Sequence, residues 1–249
     1  MIQLEKAMGA SKIIVVQTAR EAERAYGVLL ESLRGSRKVV SVDCEGTTRQ
    51  DGGEVRCALM VQIASHSVVV VEVPEGAPYH GRLSQQARAL LQDTKVLKVL
   101  HAGGNDTDVL PVNVEPTVDV QEWVTHFGGM AKMPLHDVLT ACDPQARVWS
   151  KQSFKKNRWY LLKSGQAMLA ANGFKQYAAA DAWGTLQAFY FMVQANNGDW
   201  PVLPLQRAFA SIALSSTASI EVAATATASM SEPSFMSFQY QERLVRIIV

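Results

Sequence analysis

The chain has 249 residues, of which 48% are hydrophobic and 19% charged, enough apolar material for one large domain or for an ordinary domain with a tail. Its formal net charge of +1 excludes a global basic field, so any polyanion must be met by a local patch. Three cysteines (Cys44, Cys57, Cys142) without C-x-x-C spacing argue against a disulfide framework and a structural zinc site, and imply a reducing intracellular compartment, cytoplasm or nucleus. The longest apolar runs, such as "SVVVVEV", are too short to span a bilayer, and no apolar signal segment opens the chain; a soluble protein with no membrane partner is expected.

Strands and helices alternate along the chain. "KIIVVQ" (12–17) reads as a strand, and "TAREAERAYGVLLESL" as a helix with Thr18 as cap and Glu21 three residues on. "KVVSVD", "RCALMVQIAS" and "SVVVVEV" read as three consecutive antiparallel strands, the first two separated by a polar turn around "RQDGGE". "LSQQARALLQD" has helical amphipathicity, "KVLKVLHAGG" is a strand entering a Gly-rich bend, and "NDTDVLP" is a short helical turn stopped by proline. "PTVDVQEWVTHFGG" predicts a short strand leading into a helix; "LHDVLTAC" and the long, Ala-rich "FKQYAAADAWGTLQAFYFMVQAN" predict two more helices. This order implies a mixed three-layer α/β fold. From Ala208 to Met230 a Ser/Ala/Thr-biased segment without a clear period follows, so the expected division is a domain over 1–200 and a low-complexity tail over 201–249.

Three short stretches carry candidate chemistry. In "VVSVDCEG" Asp43 and Glu45 stand two apart on a strand and project to one face, with Cys44 on the other. Two like charges on one face repel. Either water screens them at a strand exit, which is ordinary turn chemistry, or something positive lies between them. In "KVLHAGGNDTDVL" Asp106 follows a strand end, where open α/β sheets place ligands, although a helix cap explains it equally well; Asp108 points another way around the turn. In "QYAAADAWGTL" Tyr177 and Asp181 lie four apart on a helix, sharing a face that three alanines leave uncrowded, a spacing that also suits a surface hydrogen bond.

Taken in this order, Asp-x-Glu, an Asp after His-x-x-x-Asn, and Tyr-x-x-x-Asp resemble the DEDD superfamily of 3'-5' exonucleases, tyrosine subclass. Within it the chain is similar to the RNase D and Werner-exonuclease branch and to the 3'-5' exonuclease domain-containing proteins, Egalitarian-like members included. The resemblance runs from Lys12 to about Gln194. It implies a ribonuclease H-like three-layer fold with a mixed central sheet flanked by helices. It also implies a two-metal phosphodiesterase site, with Mg²⁺ or Mn²⁺ held by Asp43, Glu45, Asp106 and Asp181 and with Tyr177 orienting the attacking water. A metal between Asp43 and Glu45 would relieve their repulsion. The implied reaction is hydrolysis from a 3' end, releasing nucleoside 5'-monophosphates.

Many members of the family it resembles carry Arg-Pro-Leu shortly before the last motif, where this chain reads "AMLAANGFKQY" with Met168 and Leu169 at about the place of Arg-Pro. "RVWSKQSFKKNRWYLLK" interleaves Lys151, Lys155, Lys156, Arg158 and Lys163 with Trp149, Phe154, Trp159 and Tyr160. Cations hold phosphates while rings stack on bases, which suits single-stranded nucleic acid, here RNA ahead of DNA; the other reading is a solvated loop with its aromatics turned into the core. His101 is expected to close its strand and to support the site rather than to act in it. Two further functions stay open: a nucleic-acid-binding adaptor on an inactive exonuclease fold, and a structural subunit of an RNA-processing assembly docked through the tail.

Overall fold

Six apolar, β-branched runs form the sheet on which the other elements are arranged. The structure is a computed structural model that describes residues 1–9, 11–33, 38–45, 58–77, 81–126, 132–151 and 164–195. The elements in chain order are β1 (Ile2–Gln3), α1 (Leu4–Met8), β2 (Lys12–Val16), α2 (Ala19–Ser32), β3 (Lys38–Glu45), β4 (Met60–Ala64), β5 (Val68–Glu72), α3 (Gln85–Gln92), β6 (Val96–Leu100) and α4 (Gly104–Val109). They continue with β7 (Thr117–Asp119), α5 (Val120–His126), α6 (Leu135–Cys142), β8 (Trp149–Ser150), α7 (Gly165–Ala170) and α8 (Phe174–Ala195). The turn expected around "RQDGGE", Cys57, Lys155, Lys156, Arg158, Trp159 and the tail lie outside the described residues.

The main sheet has the order β2-β5-β4-β3-β6-β7. Strands β3, β4 and β5 form the expected antiparallel meander, and β2, β6 and β7 add in parallel. Both faces are covered, as the unbroken apolar runs require. On one face Val40, Val42, Ile63 and Val70 pack against Ala22, Tyr26 and Leu29 of α2 and Leu90 and Leu91 of α3. On the other, Val39, Met60, Val71 and Val99 meet Ala178, Ala182, Leu186 and Phe189 of α8, with Leu135, Val138 and Leu139 of α6 in the same core. The expected three-layer α/β architecture with a mixed central sheet is therefore present.

Local chemistry sets the helix starts. Thr18 and Glu21 make the reciprocal capping box that the sequence predicts for α2. Ser84 caps α3 through the Ala87 amide, and the buried Glu72 at the end of β5 accepts from the Ser84 amide (2.6 Å), the Ser84 hydroxyl (3.0 Å) and the Tyr26 hydroxyl (2.8 Å). One carboxylate thus ties β5 to both helices of that layer.

Two features were not legible in the periodicity. The chain start forms β1, which pairs in parallel with β8 over only two residues, and α1, which packs on α8. The approach is close: a Cβ on Gly184 of α8 would come within 2.9 Å of the Leu4 side chain. The three alanines between Tyr177 and Asp181 are packed against neighbouring elements. Ala178, Ala179 and Ala180 are all buried, and their small size lets α8 lie close to the sheet.

Candidate active site

Strand β3 carries Ser41, Asp43 and Glu45 on one face by simple alternation. Ser41 is fully buried, and its hydroxyl donates to the Ala182 carbonyl of α8 at 2.5 Å, which registers the helix on the strand. The next residue back on the helix, Asp181, then meets the strand's acidic end. Carboxylate oxygens of Asp43, Glu45 and Asp181 all lie within 4.8 Å of one another, and Glu45 and Asp181 are each only 8% exposed. A hydroxyl bond between residues 141 positions apart, Ser41 and Ala182, thus lies beside the point where the carboxylates of strand and helix meet.

Charge crowding shows in the protonation equilibria. Withdrawal from water, then Glu45, Asp181 and Asp106, push the Asp43 carboxyl well above its ordinary value. Burial, then Asp181, raises Glu45 from 4.5 to about 8. Burial also raises Asp181, against the opposing pull of Lys151 and Tyr177. The Tyr177 hydroxyl interacts with Asp181 across one helical turn; burial and the surrounding carboxylates push that phenol far up, so it stays protonated at neutral pH.

Asp106 stands somewhat apart. It is in the first turn of α4 and does not cap it: the cap position is Gly103, without a side-chain bond. Its carboxylate is not among the three within 4.8 Å, yet it is near enough to raise Asp43, and burial followed by Asp119 raises Asp106 itself from 3.8 to about 6. The bend that delivers it is tight. Ala102 has φ 54, and a Cβ on Gly103 would sit 2.5 Å from that of Leu100.

Sequence reasoning missed the residue that holds this bend. Asp119, at the end of β7, accepts from the amides of Ala102 (3.1 Å), Gly103 (2.8 Å) and Gln121 (2.8 Å). The available signal was an acid closing a short strand in "TVDVQ" beside a Gly-rich bend. Asp119→Ala should lower stability by about 1–3 kcal/mol, read as the urea midpoint, because three amides lose their acceptor; Asn should retain part of it.

Lys151 does not stand in a solvated patch. It follows β8, and its ammonium makes a close ion pair with Asp181 Oδ2 while lying 4.1 Å from the centroid of the Tyr177 ring. It draws down the carboxyls of Asp43, Glu45 and Asp181. The metal-free cluster thus has an internal counter-ion. Lys151→Met should reduce the metal-free protein's stability by about 1–3 kcal/mol near pH 8, with Mn²⁺ recovering most of the loss. Melting temperatures in EDTA and in Mn²⁺ test this. His101 directly follows β6: its Nε2 lies 2.9 Å from the Met133 carbonyl, and burial holds its pKa below the usual value.

The donor set fits hard divalent cations. All groups are carboxylate oxygens, and Asp181 Oδ1 is buried with no hydrogen-bond partner, an acceptor that a cation would satisfy. Among the described residues, no helix is long and apolar enough to cross a membrane.

Comparison with known proteins places the fold. No protein-family model matches the chain, and no curated protein does. Among solved structures the fold is similar to that of Trypanosoma brucei RNase D, at 16% identity over 75% of this chain and 66% of that one, TM-score 0.58. The same enzyme in complex with RNA U12 gives 17% identity, 76% and 65% coverage, and a TM-score of 0.56. Escherichia coli RNase D, an exoribonuclease involved in structured RNA processing, matches at 15% identity over 73% of this chain and 45% of its own, TM-score 0.51. Brucella melitensis NrnC matches at 14%, with 75% and 82% coverage and a TM-score of 0.51. This chain spans just under two-thirds of the trypanosomal enzyme and less than half of the E. coli one. At such identities the likeness is one of fold.

Proposed function

We propose that this protein is a divalent-metal-dependent 3'-5' exonuclease of the tyrosine-bearing DEDD kind, acting on single-stranded 3' ends with RNA ahead of DNA. The observation that carries the reading is the cluster of Asp43, Glu45 and Asp181 at the carboxyl end of β3, on a fold shared with RNase D. Asp43, Glu45 and Asp181 would hold the cations, with Asp106 as the fourth, more distant carboxylate. Two bound Mg²⁺ or Mn²⁺ ions would stabilise both the attacking and the leaving oxygens of an in-line displacement.

The chain's own groups do the rest. Tyr177 stays protonated at neutral pH, so it orients the attacking water rather than removing its proton. Water adds to the terminal phosphorus and loses a proton, the bond from phosphorus to the preceding nucleotide's 3' oxygen breaks and that oxygen takes up a proton as the new 3'-hydroxyl, and a nucleoside 5'-monophosphate leaves. Lys155, Lys156, Arg158 and Trp159, which follow Lys151 in sequence, would track the strand by phosphate contact and stacking.

A second reading has a specific observation behind it. Lys151 already neutralises Asp181, and Asp106 lies outside the tight group, both of which suit an adaptor that binds nucleic acid without cutting it. Incubation with 5'-labelled single-stranded RNA and DNA in Mg²⁺, Mn²⁺ or EDTA separates the two. Metal-dependent shortening from the 3' end supports the enzyme, whereas retained binding without shortening in any metal supports the adaptor.

A further inference from the structure

Gln62 lies in the centre of β4, directly across from Asp43 of β3. Residues directly opposite in an antiparallel pair project to the same face with Cβ atoms about 4.5–5.5 Å apart, so the Gln62 side chain shares the carboxylate face that α8 covers. It is 0% exposed, and neither its amide nitrogen nor its amide oxygen has a hydrogen-bond partner. Its same-face neighbours on the strand are Met60 and Ala64, both fully buried and apolar. A leucine would suit that company better, since an unsatisfied buried amide costs about 1–3 kcal/mol. The fold alone gives no use for it.

The neighbouring carboxylate supplies one. Among the described residues no donor reaches Asp43, although an ionised carboxylate offers about four acceptor sites. Cations held there would take up only part of that acceptor capacity, and a donor from the surrounding protein would satisfy a remaining site and orient the carboxylate. We infer that Gln62 is a positioning residue for metal binding: its amide donates to the Asp43 carboxylate when the site is loaded, fixing that carboxylate toward the ions. This rests on the metal-site reading above. A polar group that burdens the fold by itself thus serves the loaded site.

The inference makes two opposite demands on one substitution. Gln62→Leu in the full chain should melt in EDTA at the same temperature as the parent or higher, yet bind Mn²⁺ about tenfold more weakly or worse, by calorimetry or by electron paramagnetic resonance of free Mn²⁺. Gln62→Met should behave the same way. On the unsubstituted chain, the Gln62 side-chain amide signals should shift, and exchange with solvent more slowly, as Mg²⁺ is added; this reading does not depend on a variant folding. A Gln62→Leu protein that melts lower and binds Mn²⁺ like the parent, or Gln62 amide signals unmoved by saturating Mg²⁺, overturns the inference and leaves the metal site standing. A parent chain that binds no Mn²⁺ overturns both.

Discussion

Asp43→Asn should reduce 3'-end shortening by about 10³-fold or more while raising the melting temperature of the metal-free protein. The substitution keeps shape and removes one charge. Its catalytic half follows from position, because Asp43 shares one small volume with Glu45 and Asp181, and an amide is a poor ligand for a hard cation. Its stability half follows from the same crowding, since ionising Asp43 is opposed by burial and by three neighbouring carboxylates. Relief of that repulsion is worth on the order of 1–2 kcal/mol, or about 3–6 °C for a domain of this size. Mn²⁺ should raise the melting temperature of the parent by preferential binding and leave the variant nearly unmoved. Undiminished cleavage by Asp43→Asn would remove Asp43 from the site; Asp181→Asn offers an independent check on activity, although it also takes away the partner of Lys151.

In EDTA, stability should fall as the pH rises from about 6.5 to 8, and saturating Mn²⁺ should flatten or reverse that slope. The sign comes from linkage. A carboxyl whose folded value lies above its unfolded one adds stability that is complete below the ordinary carboxylate range and is lost as pH climbs through the folded value. Glu45, raised from 4.5 to about 8, sets the upper edge of the window, and Asp43 acts in the same direction. Asp106, at about 6, contributes at the lower edge, where His101, held below its ordinary 6.5, works the other way. Lys98, lowered to about 8, adds stability only at still higher pH. The slope is therefore cleanest above the ordinary histidine range and up to the Glu45 value of about 8, with an expected loss of about 2–4 kcal/mol. Bound cations require ionised ligands, so with Mn²⁺ present protons compete with metal and stability rises with pH instead. Differential scanning calorimetry across that range, with and without Mn²⁺, reads both slopes. A flat profile in EDTA would mean that the carboxylates are not crowded in solution.

Both expectations begin in features that the order of amino acids encodes locally. The alternation that puts Asp43 and Glu45 on one face, the four-residue spacing of Tyr177 and Asp181, the capping box of α2 and the bounds of α6 are all set by residues within a turn or two of each other. Such features depend on backbone geometry alone and are legible in the chain without its partners, together with the mixed α/β layering that follows from their order. The described residues confirm that layering. The resemblance also named the carboxylates that the fold then brings together, apart from Asp106, which stays at the cluster's edge.

Whatever depends on distant chain segments meeting was settled by packing instead. A lysine read as part of a basic patch is carried by the two-residue pairing of β8 with β1 into the carboxylate cluster, a placement no local period encodes. Asp119 reaches the bend that carries Asp106 because β7 lies beside β6, and Gln62 faces Asp43 because of a particular antiparallel register. A shift of one residue in that register would have turned Gln62 to the opposite face. Periodicity says which face a side chain takes on its own element; which partner waits on that face follows only from how the elements pack.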